Sequence, residues 1–288
     1  MTENQKNQGK STVARERKRA PVDAAGQPHA RVATGARIVS LVPSLTELLF
    51  DLGLGANVVG RTAFCVHPAD AVTAVTSVGG TKRVNMKRLL DLAPTHVVVN
   101  VDETPKALAD ELAGPGLAVV VTHPIAVEDN VGLYRLIGGI FDAELAAEDL
   151  VARFVAALSK ARAAGRELPA RRVYYLVWRE PWITVSADTY ISKLVATVNW
   201  HTVGHDARNR YPQPRLTDDF LAGVDLVLLS SEPYGFTAAD AAEFAADFPA
   251  HGAKTRLVDG QMLSWYGSHA ILGLQYLTDL ARAEAARG

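Results

Sequence analysis

Cys65 and His67 stand two residues apart in the segment TAFCVHP. In extended chain that spacing turns both side chains to one side, and thiolate with imidazole is a soft-metal ligand pair. The same two groups also suit a nucleophile and its base. Two ligands do not close a metal site, and a single cysteine is often a core residue. His123, in a second His-Pro step, places another imidazole near the same rim. His201 and His205 have i, i+4 spacing, but Gly204 argues against a helix that would align them, so loop or cap roles are expected.

A second group of candidates is aromatic. Trp178, Arg179 and Trp182 lie in WREPW, and Ser264, Trp265 and Tyr266 lie in DGQMLSWYG. Three of the four tryptophans thus fall in two loops beside strand ends, where they are placed to stack on a flat ligand. Arg179 suits a ligand carboxylate or a neighbouring acid. Ser44 and Glu47 in VPSLTELL spell a capping box, and Ser44 also sits at a strand's C-terminal end, where open α/β sheets bind ligands. No Walker loop, G-x-G-x-x-G after a strand, G-x-S-x-G, H-E-x-x-H or C-x-x-C occurs.

Parallel α/β units must position these loops, because short β-branched runs alternate with helix-like stretches. Strands are expected at Arg37–Leu41, Asn57–Gly60, His96–Asn100 and Leu117–Thr122, then at Arg172–Val177, Asp225–Ser230 and Thr255–Asp259. Between the two sets, residues 142–167 are rich in Ala, Glu and Leu. Leu150, Phe154, Leu158 and Ala161 fall on one stripe, which predicts a long amphipathic helix ended by Gly165 and Pro169. The expected order is an N-terminal lobe (37–141), a connecting helix (142–168) and a C-terminal lobe (169–288). Glu103 and Glu232 close matching strand–loop segments in the two lobes. A single packed helix resists bending, so the cleft should be largely preformed.

The 288 residues suffice for one large domain or two ordinary ones, and the 48% hydrophobic content supports a sizeable core. A net charge of −1 gives no bulk attraction to nucleic acid. Residues 1–36 carry +4 and lack Leu, Ile, Phe and Trp, so a disordered basic tail is expected there. No apolar h-region precedes Arg37, and no later run is long enough to span a membrane, so as written the chain is expected to stay in the cytoplasm. With one cysteine, no intrachain disulfide can form.

RIVSLVPSLTELLFDLGLG, TAFCVHP, SVGGTKRVNMKRLLDLAPTHVVVN, SSEPYGF and VDGQMLSWYG, in this order, resemble the Fe-siderophore and cobalamin-type periplasmic-binding domain, a class III solute-binding fold known as a helical-backbone metal receptor. The likeness runs from about Arg37 to Leu280 and is greatest to the cobalamin-binding-like subgroup. It implies two Rossmann-like lobes with parallel sheets on a single backbone helix. It also implies non-catalytic binding of a bulky metal chelate or corrinoid in the cleft, with no intrinsic cofactor, by a monomer that serves an ABC importer from the periplasm. Phe64, Cys65, His67, Trp178, Trp182, Trp265 and Tyr266 are the cleft residues it carries over. Importer-delivering members dock through one acidic residue per lobe. Here Asp218 or Asp219 fills the second position, whereas the first is Lys87, which would repel a permease arginine. A cytoplasmic binder of a metal complex is the variant this implies. Two other readings compete. An enzyme built on Cys65 and His67 requires a thiol of lowered pKa, and a purely structural module predicts no preformed cleft.

Overall fold

The computed structural model describes residues 20–287 apart from Lys82 and Pro115. Its β-branched runs form strands because branched side chains pack well on a pleated, buried surface. In the first lobe, β1 (Ile38–Ser40), β2 (Val58–Arg61), β3 (Thr76–Ser77), β4 (His96–Asn100) and β5 (Ala118–Thr122) make a sheet of order β3-β2-β1-β4-β5. In the second, β6 (Arg171–Leu176), β7 (Trp200–Thr202), β8 (Leu226–Ser230) and β9 (Thr255–Val258) take the order β7-β6-β8-β9. Every pairing is parallel, so all strands of a sheet deliver their loops at one edge. β3 and β7 were not expected; two or three residues are too few to show a period.

Helices α1 (Pro43–Asp51), α2 (Ala69–Val72), α3 (Met86–Asp91), α4 (Lys106–Leu112) and α5 (Asp129–Ile140) belong to the first lobe. Next in the chain is α6 (Glu144–Glu167). The second lobe adds α7 (Tyr190–Val195), α8 (Asp218–Ala222), α9 (Ala238–Asp247), α10 (Gly260–Ser264) and α11 (His269–Ala286). None of the described helices is long and apolar enough to cross a membrane.

α6 buries the predicted stripe of Leu150, Phe154, Leu158 and Ala161. Gly165 does not end the helix. It lies inside it, where a Cβ would stand 2.3 Å from the Thr197 carbonyl oxygen, so glycine lets α6 seat directly on the second lobe's backbone. α5 packs on one side of α6 and α11 on another, and α11 also touches α1. One continuous core therefore runs from Leu45 and Leu48 of α1 through Phe154 to Val173, Tyr175 and Leu277. Each lobe keeps a smaller core on its outer face.

The tail expectation needs correction for residues 20–36, while residues 1–19 lie outside the described residues. Ala24 N–H donates to the Val121 carbonyl at 2.9 Å, and Val121 N–H donates to Asp23 Oδ2 at 3.0 Å. Asp23 and His29 are both buried and pair at 3.0 Å. The segment is a strap: Asp23 and Ala24 hydrogen-bond to β5, Val32 N–H donates to the Ile140 carbonyl, Arg31 pairs with Asp142 and Glu144, and Val32 and Ala36 pack on the core, so polar contacts the composition argument did not count help hold it. The capping box is also corrected. α1 begins at Pro43 with Val42 as its cap residue, so Ser44 already lies inside the helix and Glu47 is free to pair elsewhere.

Candidate ligand site between the lobes

The loops at the C-terminal edges of the two sheets meet. From the first lobe come His67 after β2, Asp102 and Glu103 after β4, and His123 after β5. From the second come Arg210 after β7, Glu232 after β8, and Gln261, Trp265 and Tyr266 after β9. His67 Nε2 donates to Gln261 Oε1 at 3.0 Å. Tyr266 OH donates to Glu103 Oε1 at 2.6 Å, and its hydroxyl also meets Ser44. Arg210 pairs with Asp102, and its Nη1 lies 3.3 Å from His123 Nε2.

The turn into α11 is the firmest junction. Gly267 N–H donates to Asn130 Oδ1 at 2.7 Å, and Tyr134 OH donates to the Gly267 carbonyl at 2.9 Å. Gly267 has φ +79°, and a Cβ there would stand 3.2 Å from the Ser44 carbonyl oxygen. The left-handed backbone and the tight approach together call for glycine. Two residues on, His269 Nδ1 donates to Glu47 Oε2 at 2.8 Å. The His67 ring meets Trp265 edge-on at 5.6 Å and His269 at 5.9 Å.

The predicted site residues separate into a floor, a rim and several that are committed elsewhere. Trp265 and Tyr266 are only 7% and 6% exposed, so they close the floor instead of offering a stacking face. Phe64 and Trp178 remain open, at 61% and 41%. Phe64 stands over Gly80 of the neighbouring hairpin, and Trp178 packs edge-on against Tyr234 at 5.6 Å.

Other expectations are corrected. Cys65 is buried, with its thiol hydrogen-bonded to Thr46 and Thr62, so it cannot reach a ligand. Burial pushes its pKa up, the opposite of what a thiolate ligand or nucleophile requires. Among the described residues, no group of three or more His, Cys, Asp or Glu is placed to hold a metal ion, His67 included. Trp182 belongs to the outer core of its lobe, stacked on Phe236 at 6.1 Å and edge-on to Phe244. Arg179 pairs with Asp240 at 2.8 Å and with Glu243, and covers the Trp182 ring, so its charge is already met. Ser264 donates to the Gly260 carbonyl of its own helix. As expected, His201 and His205 do not form a pair: His205 lies in a loop against Thr202, but His201 stands on β7 rather than in a loop or cap and turns to Asn199.

Asp102, Arg210 and Tyr211 were missed. Tyr211 is 41% exposed beside Asp102, Glu103 and Asp188. Its segment, NRYPQPR, has no periodic pattern, and the only hint was an aromatic next to an arginine in a proline-rich loop. Glu103 and Glu232 were visible as echoes of one another, but their surroundings were not. Burial, joined by the charges of Asp102 and Glu232, pushes the Glu103 carboxyl up to about 7 despite the bond from Tyr266. Burial also raises Glu232, although Trp265 donates to it. Cavities of about 1120 Å³ and about 570 Å³ lie against the strap and against α6, and neither is lined by Phe64, Trp178 or Tyr211.

The lobed architecture has counterparts among solved structures. The apo periplasmic heme-binding protein RhuT from Roseiflexus sp. RS-1 superposes with a TM-score of 0.75 over 88% of this chain and 100% of that one, at 22% identity. The periplasmic vitamin B12 binding protein BtuF of Vibrio cholerae gives 0.72 over 86% and 96%, at 17% identity. At such identities the likeness is one of fold. In sequence, the vitamin B12-binding protein of Yersinia pestis (strain Pestoides F) is 23% identical over 177 residues, 62% of this chain and 63% of the relative. The chain thus spans about 63% of the length of the curated relatives it matches. The family model described as periplasmic binding protein matches residues 38–210, more than half of the chain, and with the two parallel sheets on their common helix this shows that the chain belongs to the periplasmic binding protein family.

Proposed function

We propose that the chain is a non-catalytic binding protein for a bulky, flat metal chelate of the corrinoid or haem type, held where the strand-end loops of the two lobes meet. The observation that carries this is that Phe64 on one lobe and Trp178 on the other stay open in strand-end loops, while His67, Trp265 and Tyr266 are tied into the contact between the lobes. Open aromatics on two rigid supports offer flat area without side-chain rearrangement. The vitamin B12- and heme-binding names of the relatives and structural counterparts support the same ligand class.

Delivery to an ABC permease from the periplasm belongs to the same proposal. Asp218 and Asp219 lie exposed in the first turn of α8 and would be the docking carboxylates. The corresponding first-lobe position on α3 is Lys87, exposed and paired with Asp91 at 2.7 Å.

Titration with hydroxocobalamin, haemin and a ferric siderophore, read by tryptophan fluorescence, tests the binding. One of the three is expected to quench saturably, and Trp178→Ala to remove most of the quench and weaken binding about tenfold, the order given by one stacked aromatic contact. A flat response to all three sinks the proposed function.

A further inference from the structure

A cavity of about 570 Å³ lies beside α6, away from the strand-end loops that carry Phe64 and Trp178. Its walls come from three parts of the molecule. They are the turn before α5 in the first lobe, the last turns of α6, and the end of α7 with the turn after it in the second lobe.

The charge of this cavity is one-sided. Arg162 and Arg166 stand one turn apart on α6, so they share a face of that helix. Lys193 adds a third cation from α7. Glu128 is the lining carboxylate, and Arg162 pairs with it. Arg166 and Lys193 are exposed and have no ion-pair or hydrogen-bond partner among the described residues. A surplus of two positive charges is left. Arg166 and Lys193 lie in the last turns of their helices and gain from the helix dipoles, but that gain does not require them to line one cavity.

The uncharged polar side chains of the wall are already engaged. Thr197 Oγ1 donates to the Leu194 carbonyl at 2.7 Å, and Asn199 Nδ2 donates to the Leu168 carbonyl at 3.0 Å. The side-chain donors left for an occupant are therefore cationic. Ala126, Val127 and Ala196 supply apolar wall beside them. The volume falls within the roughly 300–1,000 Å³ of small-molecule clefts, so there is room for an organic group as well as an anion. A phosphomonoester carries about −1.5 to −2 charges at pH 7, which matches the surplus better than a single carboxylate does. An arginine fork also bonds phosphate oxygens through two parallel N–H groups.

We propose that this cavity is a second binding site, which takes a small soluble phosphomonoester, engages its phosphate with Arg166 and Lys193, and lays its organic group against Ala126, Val127 and Ala196. The walls belong to the first lobe, the connecting helix and the second lobe, so an occupant ties all three together and stabilises the folded chain. This site is independent of chelate binding at the strand-end loops.

The test uses the whole chain at fixed ionic strength, with phenyl phosphate as the probe and benzoate as the singly charged control. Calorimetry is expected to show one saturable phenyl phosphate site, at least about tenfold tighter than any for benzoate, and the melting temperature should rise with probe concentration. Arg166→Gln combined with Lys193→Gln should weaken binding at least about tenfold, the order expected for lost hydrogen bonds to a charged group, with circular dichroism and the chelate titration unchanged. Lys193→Glu alone reverses one exposed charge and should abolish binding, and it answers the same question should the double variant unfold. No saturable phenyl phosphate binding, equal affinity for benzoate, or an affinity unmoved in these variants overturns the proposal. So does binding that survives in the double variant and disappears in Trp178→Ala, because the probe would then sit at the strand-end loops.

Discussion

Trp178 and Trp265 both leave the second lobe at the C-terminal edge of its sheet, yet Trp178 is 41% exposed and Trp265 only 7%. The difference lies in the path of the chain just beyond each ring. After Trp265 the chain turns at Gly267 into α11 and is met by Asn130, Tyr134 and Glu47 of the first lobe. After Trp178 it folds back on its own lobe through the Trp178–Ile183 bridge, and the ring packs on Tyr234 of that same lobe. An aromatic residue in a strand-end loop therefore stays open or becomes an inter-lobe bolt according to its contacts across the gap, not according to its local sequence.

Four measurements test this difference between the two rings. Trp265→Ala should cost about 3–5 kcal/mol in urea unfolding, as large-to-small changes at buried aromatics do; a loss under about 1 kcal/mol would mean the floor is open. Glu103→Gln should change how stability responds to pH. The folded carboxyl holds its proton up to about 7, against 4.5 for the ordinary side chain. In that window the native state binds more protons than the unfolded chain, so wild-type stability falls as pH rises from about 4.5 to about 7. The fall is at most about 3 kcal/mol and is absent from the variant; parallel unfolding curves at pH 5 and pH 7.5 for both proteins would contradict it. Gly267→Ala should cost about 1–2 kcal/mol for a side chain forced into the left-handed region, and an unchanged melting temperature would dissolve the bolt. Trp178→Ala should move stability by no more than about 0.5 kcal/mol, as at most exposed positions. A larger loss would put Trp178 with Trp265 rather than apart from it.

Much of this arrangement was legible in the residues. The β-branched runs mark seven of the nine strands among the described residues, and the Leu150–Phe154–Leu158–Ala161 stripe marks α6, because period and branching are local properties of the chain. Which loop aromatics stay open was not legible. Trp182 and Trp178 are four residues apart in one loop, but Trp182 is claimed by Phe236 and Phe244, more than fifty residues on. Arg179 is spent on Asp240 and Glu243 for the same reason. Cys65 looked available because a spacing of two says nothing about depth, and Thr46 and Thr62 enclose it. The strap at residues 20–36 was missed because much of its attachment is polar, through backbone N–H groups of Ala24, Val121 and Val32, the Asp23 carboxylate and the Arg31 ion pairs, none of which a hydropathy pattern records.

α11 has a consequence for the order in which this molecule can become native. It comes after every other element in the chain, yet it packs on α6 and touches α1, and His269 finds Glu47 across 222 positions of sequence. The core shared by the lobes is incomplete until that helix docks, so the first lobe, although encoded first, has no finished interior while the second is being made. The two lobes should then unfold in one cooperative transition rather than two, with coincident midpoints by fluorescence and circular dichroism.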